Sequence, residues 1–165
     1  MSMKEYQALA EEYGRLARVF FGDRLISMCL YGSVARGNAT PESDIDVLVI
    51  AENLPRDVGL RIRETRPIHE ALRRSEPYRK LRSQGRSAFV ADTFLTPDEA
   101  KTHPPLLLDL TEDAAAIYDK NGFLESILED MRGRLRSLGA KKITTKKGYY
   151  WILKPDANPN EVVEI

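Results

Sequence analysis

Residues 44–51, Asp-Ile-Asp-Val-Leu-Val-Ile-Ala, constrain the fold of this chain most tightly, because after Asp46 every side chain is apolar whichever way it points. Strand side chains alternate between faces, so a run apolar at every position predicts a central strand covered on both sides. Arg24–Tyr31 (RLISMCLY) reads the same way and ends directly in Gly32-Ser33. Two such strands require helices on both faces of one sheet.

The rest of the chain supplies them. Tyr6, Leu9, Ala10, Tyr13, Leu16, Ala17 and Phe20 recur at the three-and-four spacing of an amphipathic helix over 3–20. Phe123, Leu124, Ile127, Leu128, Met131, Leu135 and Leu138 do the same over 123–138, with Gly139 as the stop. A charged helical region over 56–80 is expected to be interrupted near Pro67, since proline removes a helix hydrogen bond. Ser87–Leu95 has the β-branched and aromatic content of a third strand. Thr96-Pro97-Asp98-Glu99 reads as a capped helix start, with Glu99 placed to close a capping box. Ala115–Tyr118 fits a short edge strand, and 141–154 an extended tail turning at Gly148. The predicted fold is α/β (α+β): a mixed sheet of about four to five strands flanked by helices. Residues 1–120 are expected to form the core, with 121–165 a C-terminal helix and extended tail packed on the same domain.

Composition narrows the function. The single cysteine, Cys29, excludes an internal disulfide and lies in an apolar run, where a buried thiol is expected. No apolar run approaches the ~20 residues of a membrane helix, and the N-terminus carries no apolar signal region, so a cytoplasmic protein is expected. Formal net charge is zero, which gives nucleic-acid binding little support. Residues 56–86 do carry ten basic against four acidic side chains. That excess suits a solvated helix face or an acidic partner.

Two short features carry chemistry as a pair: Tyr31-Gly32-Ser33-Val34-Ala35-Arg36-Gly37 and Ser43-Asp44-Ile45-Asp46-Val47. Asp44 and Asp46, two apart on a strand, point the same way and repel unless a proton or a cation is shared. Two carboxylates with open positions suit Mg²⁺, which binds through one or two carboxylates plus substrate phosphates. Gly32 permits close backbone approach, Ser33 offers a hydroxyl and an N–H, and Arg36 brings a planar cation for phosphate.

In this order and spacing the two features resemble the signature of the DNA polymerase beta nucleotidyltransferase superfamily, nearest its minimal nucleotidyltransferase branch. The C-terminal part, with Asp113, Tyr118-Asp119 and the Tyr150–Asp156 tail, resembles a subgroup of small uncharacterised proteins with that domain. The resemblance implies a triphosphate held by Gly32, Ser33, Arg36 and Gly37, and Mg²⁺ held by Asp44 and Asp46. It also implies attack of an acceptor hydroxyl on the α-phosphate of a nucleoside triphosphate, with ATP the expected nucleotide and pyrophosphate leaving. In the superfamily a third carboxylate on a neighbouring strand completes the catalytic and metal site. Asp92, the only acid inside the third predicted strand, is the candidate for that place. Minimal members often work beside a separate helical HEPN protein, so a HEPN-type partner is expected. A second reading stays open: a nucleotide-binding, antitoxin-like module that neutralises such a partner by contact, without catalysis.

Overall fold

A computed structural model describes residues 3–146 and 148–165. Lys147, inside the predicted tail, and Met1-Ser2, ahead of the predicted first helix, lie outside the described residues. Helix α1 (Met3–Phe21) leads into β1 (Leu25–Tyr31), the single turn α2 (Gly32–Ala35) and β2 (Ile45–Ala51). Helices α3 (Val58–Arg74) and α4 (Glu76–Ser83) precede β3 (Val90–Leu95). Helices α5 (Pro97–Lys101) and α6 (Leu106–Asp113), strand β4 (Ala115–Asp119) and helix α7 (Phe123–Leu138) follow. Strands β5 (Lys141–Thr145) and β6 (Gly148–Ile152) end the ordered elements.

The main sheet is four-stranded in the order β3-β2-β1-β4, and β5-β6 form a separate antiparallel hairpin. Strand β1 pairs antiparallel with both β2 and β4, while β2 and β3 are parallel, which makes the sheet mixed. The all-apolar β2 is central, as its composition requires. One face of the sheet, with Met28, Val47, Val49, Val90 and Phe94, packs under α1, α3 and α4 through Leu9, Tyr13, Ile68, Leu72 and Leu81. The other face, with Cys29, Leu48 and Ile50, packs under α6 and α7 through Leu107, Leu110, Leu124, Leu128 and Met131. Burial pushes the Cys29 thiol up to about 12, so it behaves as a small core side chain. Among the described residues no helix is long and apolar enough to cross a membrane.

Pro67 does not interrupt α3, which runs through it and ends at the Ser75 cap instead. Pro67 is exposed, so the carbonyl it leaves without a helical donor can turn to water. Buried Arg61, Thr65, Ile68 and Leu72 hold the opposite side of the helix down. Thr96 and Glu99 form the expected reciprocal capping box at the start of α5.

Candidate active site

Strand β1 delivers its last residue, Tyr31, opposite Asp46 of β2, and the chain turns at once into α2. Gly32 sits at φ 72°, a left-handed conformation that glycine adopts without steric cost. An ideal Cβ placed there would lie 2.3 Å from Asp46 Oδ2. The backbone conformation favours glycine, and any side chain there would have to push the Asp46 carboxylate aside. The turn closes through Arg36 N–H to Gly32 C=O and Asn38 N–H to Ser33 C=O. Gly37 follows at φ 76°.

The strand also places Asp44, immediately before β2, on the same side as Asp46 by alternation. Asp44 accepts a hydrogen bond from Ser87 Oγ at 3.0 Å. Burial raises the Asp46 carboxyl above the usual range, and the charges of Asp44 and Asp113 add to the rise while Arg36 opposes it. A carboxylate destabilised by burial and by a like-charged neighbour gains from a nearby cation. The loop leading into Asp44 is pinned by Tyr6 of α1, whose hydroxyl donates to Thr40 C=O at 2.8 Å, and by Ser87 N–H to Pro41 C=O at 2.8 Å. Beside it, Phe89 is 59 % exposed.

Asp92 does not join this pair. The parallel register sets Asp92 against Val47 and Ala91 against Asp46. Side chains level across a sheet share a face, so Asp92 points to the α1 and α3 side, opposite to Asp46. There its Oδ2 accepts from the Tyr13 hydroxyl at 2.6 Å and contacts His69 Nε2 at 2.6 Å. Its side chain is 13 % exposed. Burial and the adjacent Asp92 charge push the Tyr13 phenol well above its ordinary value. The position on β3 that does face Asp46 holds alanine. Among the described residues no group of three His, Cys, Asp or Glu is placed to hold a metal ion. The donor set that fits a cation is the pair Asp44 and Asp46, which suits Mg²⁺ retaining water and phosphate oxygens.

The structure adds a residue to which the sequence assigned no role. Arg36 Nη1 forms an ion pair with Oδ2 of Asp113, the last residue of α6. The partners lie 77 residues apart, and no local pattern marks an acid at a helix end as the mate of a distant arginine. A groove of about 880 Å³, lined by residues including Lys101, His103, Lys120 and Arg134, opens beside Ile26 and Glu52 at the other end of these strands. It is remote from the carboxylates and belongs to no part of this site.

The family model for a nucleotidyltransferase domain matches residues 17–90, which include the glycine turn and both carboxylates. The Methanocaldococcus jannaschii protein named "Putative protein adenylyltransferase MJ1305" is 29 % identical over 140 residues, covering 80 % of this chain and 84 % of that one. Among solved structures, a toxin–antitoxin with AMP-PNP is 14 % identical and covers 84 % of this chain and 94 % of that chain at a TM-score of 0.45. A second is the tri-AMPylated Shewanella oneidensis HEPN toxin in complex with MNT antitoxin, 14 % identical, covering 81 % and 92 % at a TM-score of 0.46.

Proposed function

We propose that this chain, which belongs to the nucleotidyltransferase superfamily, transfers AMP from ATP to a hydroxyl on a partner protein in the cytoplasm, using Mg²⁺. The contact between Gly32 and Asp46 carries this reading, because it makes the phosphate-binding turn and the cation-binding carboxylate one continuous site. Asp44 and Asp46 would hold the cation together with phosphate oxygens. When bound, Mg²⁺ would neutralise charge on the triphosphate as pyrophosphate leaves. Gly32 and Gly37 keep the turn open so that the backbone of Ser33 can approach a phosphate. The Ser33 hydroxyl adds a donor, and Arg36 adds a charge-assisted one. Asp92 takes no part in this account, since it faces the other side of the sheet. The protein acceptor is supported by the name of the archaeal relative.

The test is transfer of label from ATP to proteins that co-purify with the chain. Label at the α-phosphate should move and label at the γ-phosphate should not. The double variant Asp44→Asn/Asp46→Asn should stay folded and lose both Mg²⁺-dependent ATP binding and transfer. Undiminished transfer by that folded variant would refute the assignment of the two carboxylates.

A second reading rests on Ala91, which puts no carboxylate beside Asp46 on β3. The chain would then bind ATP and hold a HEPN-type partner by contact alone. Tight, ATP-responsive partner binding with no label transfer is the outcome that selects it.

A further inference from the structure

We infer that Asp113 is a positioning residue for nucleotidyl transfer: it grips one edge of the Arg36 guanidinium and leaves the other edge free for the polyphosphate. The inference rests on the functional reading above and adds a residue that neither the glycine turn nor the Asp-x-Asp strand contains.

Three observations carry it. The first is the ion pair, in which only Nη1 of Arg36 is engaged among the described residues, leaving Nε and Nη2 without a protein acceptor. Guanidinium is a planar fork, so holding one nitrogen fixes the plane in which the others donate. The second is the asymmetry of burial: the Asp113 side chain is 8 % exposed and that of Arg36 is 40 % exposed. The carboxylate is the fixed partner, and the arginine is the one that reaches solvent and a ligand. The third is the anchoring of α6. Its other acids are tied to the C-terminal hairpin, Asp109 by the Tyr149 hydroxyl at 2.7 Å and Glu112 by Lys142 Nζ at 2.6 Å. Asp113 alone is turned to the glycine turn. Its Oδ1 is buried with no hydrogen-bond partner among the described residues. A buried carboxylate in that condition depends on its one cation.

The charge of Asp113 opposes an incoming polyphosphate, so its value cannot lie in ground-state affinity. It lies in orientation, which acts on turnover. In Asp113→Asn, affinity for α,β-methylene-ATP with Mg²⁺ should stay equal or tighten by up to about threefold, because a nearby negative charge is gone. Label transfer at saturating ATP should fall by about tenfold or more, the pattern of an interaction that matters in the transition state. Asp113→Glu should recover part of the transfer. In an Arg36→Ala background, Asp113→Asn should cause no further loss. NMR of ¹⁵N-arginine-labelled protein, with the Arg36 signal assigned by Arg36→Ala, gives a readout free of turnover. Restricted rotation of the Arg36 Nη groups should be seen in the wild type and lost in Asp113→Asn.

Unchanged transfer in folded Asp113→Asn overturns the inference. So does an equal loss with Arg36 already removed, or freely rotating Arg36 Nη groups in the wild type. If Asp113→Asn does not fold, Asp113→Glu and the wild-type NMR signal decide by the same criteria. Wild-type protein that binds no triphosphate defeats the functional reading and this inference together. Wild-type protein that binds and transfers while the Asp113 variants match it defeats this inference alone.

Discussion

At the scale of single residues, the site depends on an atom that is missing. Gly32 at φ 72° leaves room for Asp46 Oδ2 where any other residue would place its Cβ. Replacing it with alanine combines two penalties, a left-handed backbone and displacement of a half-buried carboxylate. The backbone term alone is about 1–3 kcal/mol. Gly32→Ala should therefore lower the melting temperature and, in the fraction that folds, abolish Mg²⁺-dependent ATP binding measured by calorimetry. Gly37 differs: it has a similar φ, but a Cβ there would meet nothing within 4 Å, so only the backbone term applies. A Gly32→Ala protein binding ATP as the wild type does would show that Asp46 can move aside freely, and the turn and carboxylate would then not be one site.

At the scale of elements, a buried arginine fastens helix to sheet. Arg61 of α3, with a side chain 6 % exposed, donates to Pro55 C=O at 2.6 Å, to Phe94 C=O at 2.8 Å and to both oxygens of Glu99 at 2.9 and 2.7 Å. It thereby ties α3, β3 and the start of α5 together and fixes the end of the strand that runs beside β2. The Arg61 hydrogen bonds hold the Glu99 carboxyl down at about 2, against an ordinary 4.5. The folded state therefore releases this proton more readily than the unfolded chain. Stability from the pair is complete above pH 4.5 and is lost as pH falls from there toward 2. Glu99 is partly open to water, so its net worth at neutral pH is about 1 kcal/mol. Glu99→Gln should melt lower at pH 7, and its deficit against the wild type should shrink across that acid window. A deficit constant from pH 7 to pH 2 would place the effect in the α5 cap and not in the ion pair.

At the scale of the whole molecule, what was legible in the sequence is what local chemistry decides. The two apolar strands, the glycine turn between them and the helices on either side each follow from periodicity, and the sheet they build is the mixed one expected. Relations set by pairing register were not legible. Asp113 meets Arg36 only because α6 crosses the end of β1, and nothing near either residue announces it. Asp92 is the instructive case, because its parity was readable: it shares a strand face with Val90 and Phe94, both buried in the core under α1 and α3. Those two apolar residues set β3 down with that face inward, and a one-residue difference in parity puts a carboxylate on the other side of the sheet. Asp92 is then a buried anchor for Tyr13 and His69, and its substitution separates the two roles. As an anchor, Asp92→Asn weakens charge-assisted hydrogen bonds from two helices and should cost about 1–3 kcal/mol of stability, while ATP affinity and transfer per folded molecule stay near wild type. As a third catalytic carboxylate, it would leave the melting temperature nearly unchanged and cut transfer by ~100-fold or more, the scale of a lost general base. Parallel measurement of melting temperature and label transfer on one preparation distinguishes them, and the bonds to Tyr13 and His69 lead us to expect the loss in melting temperature.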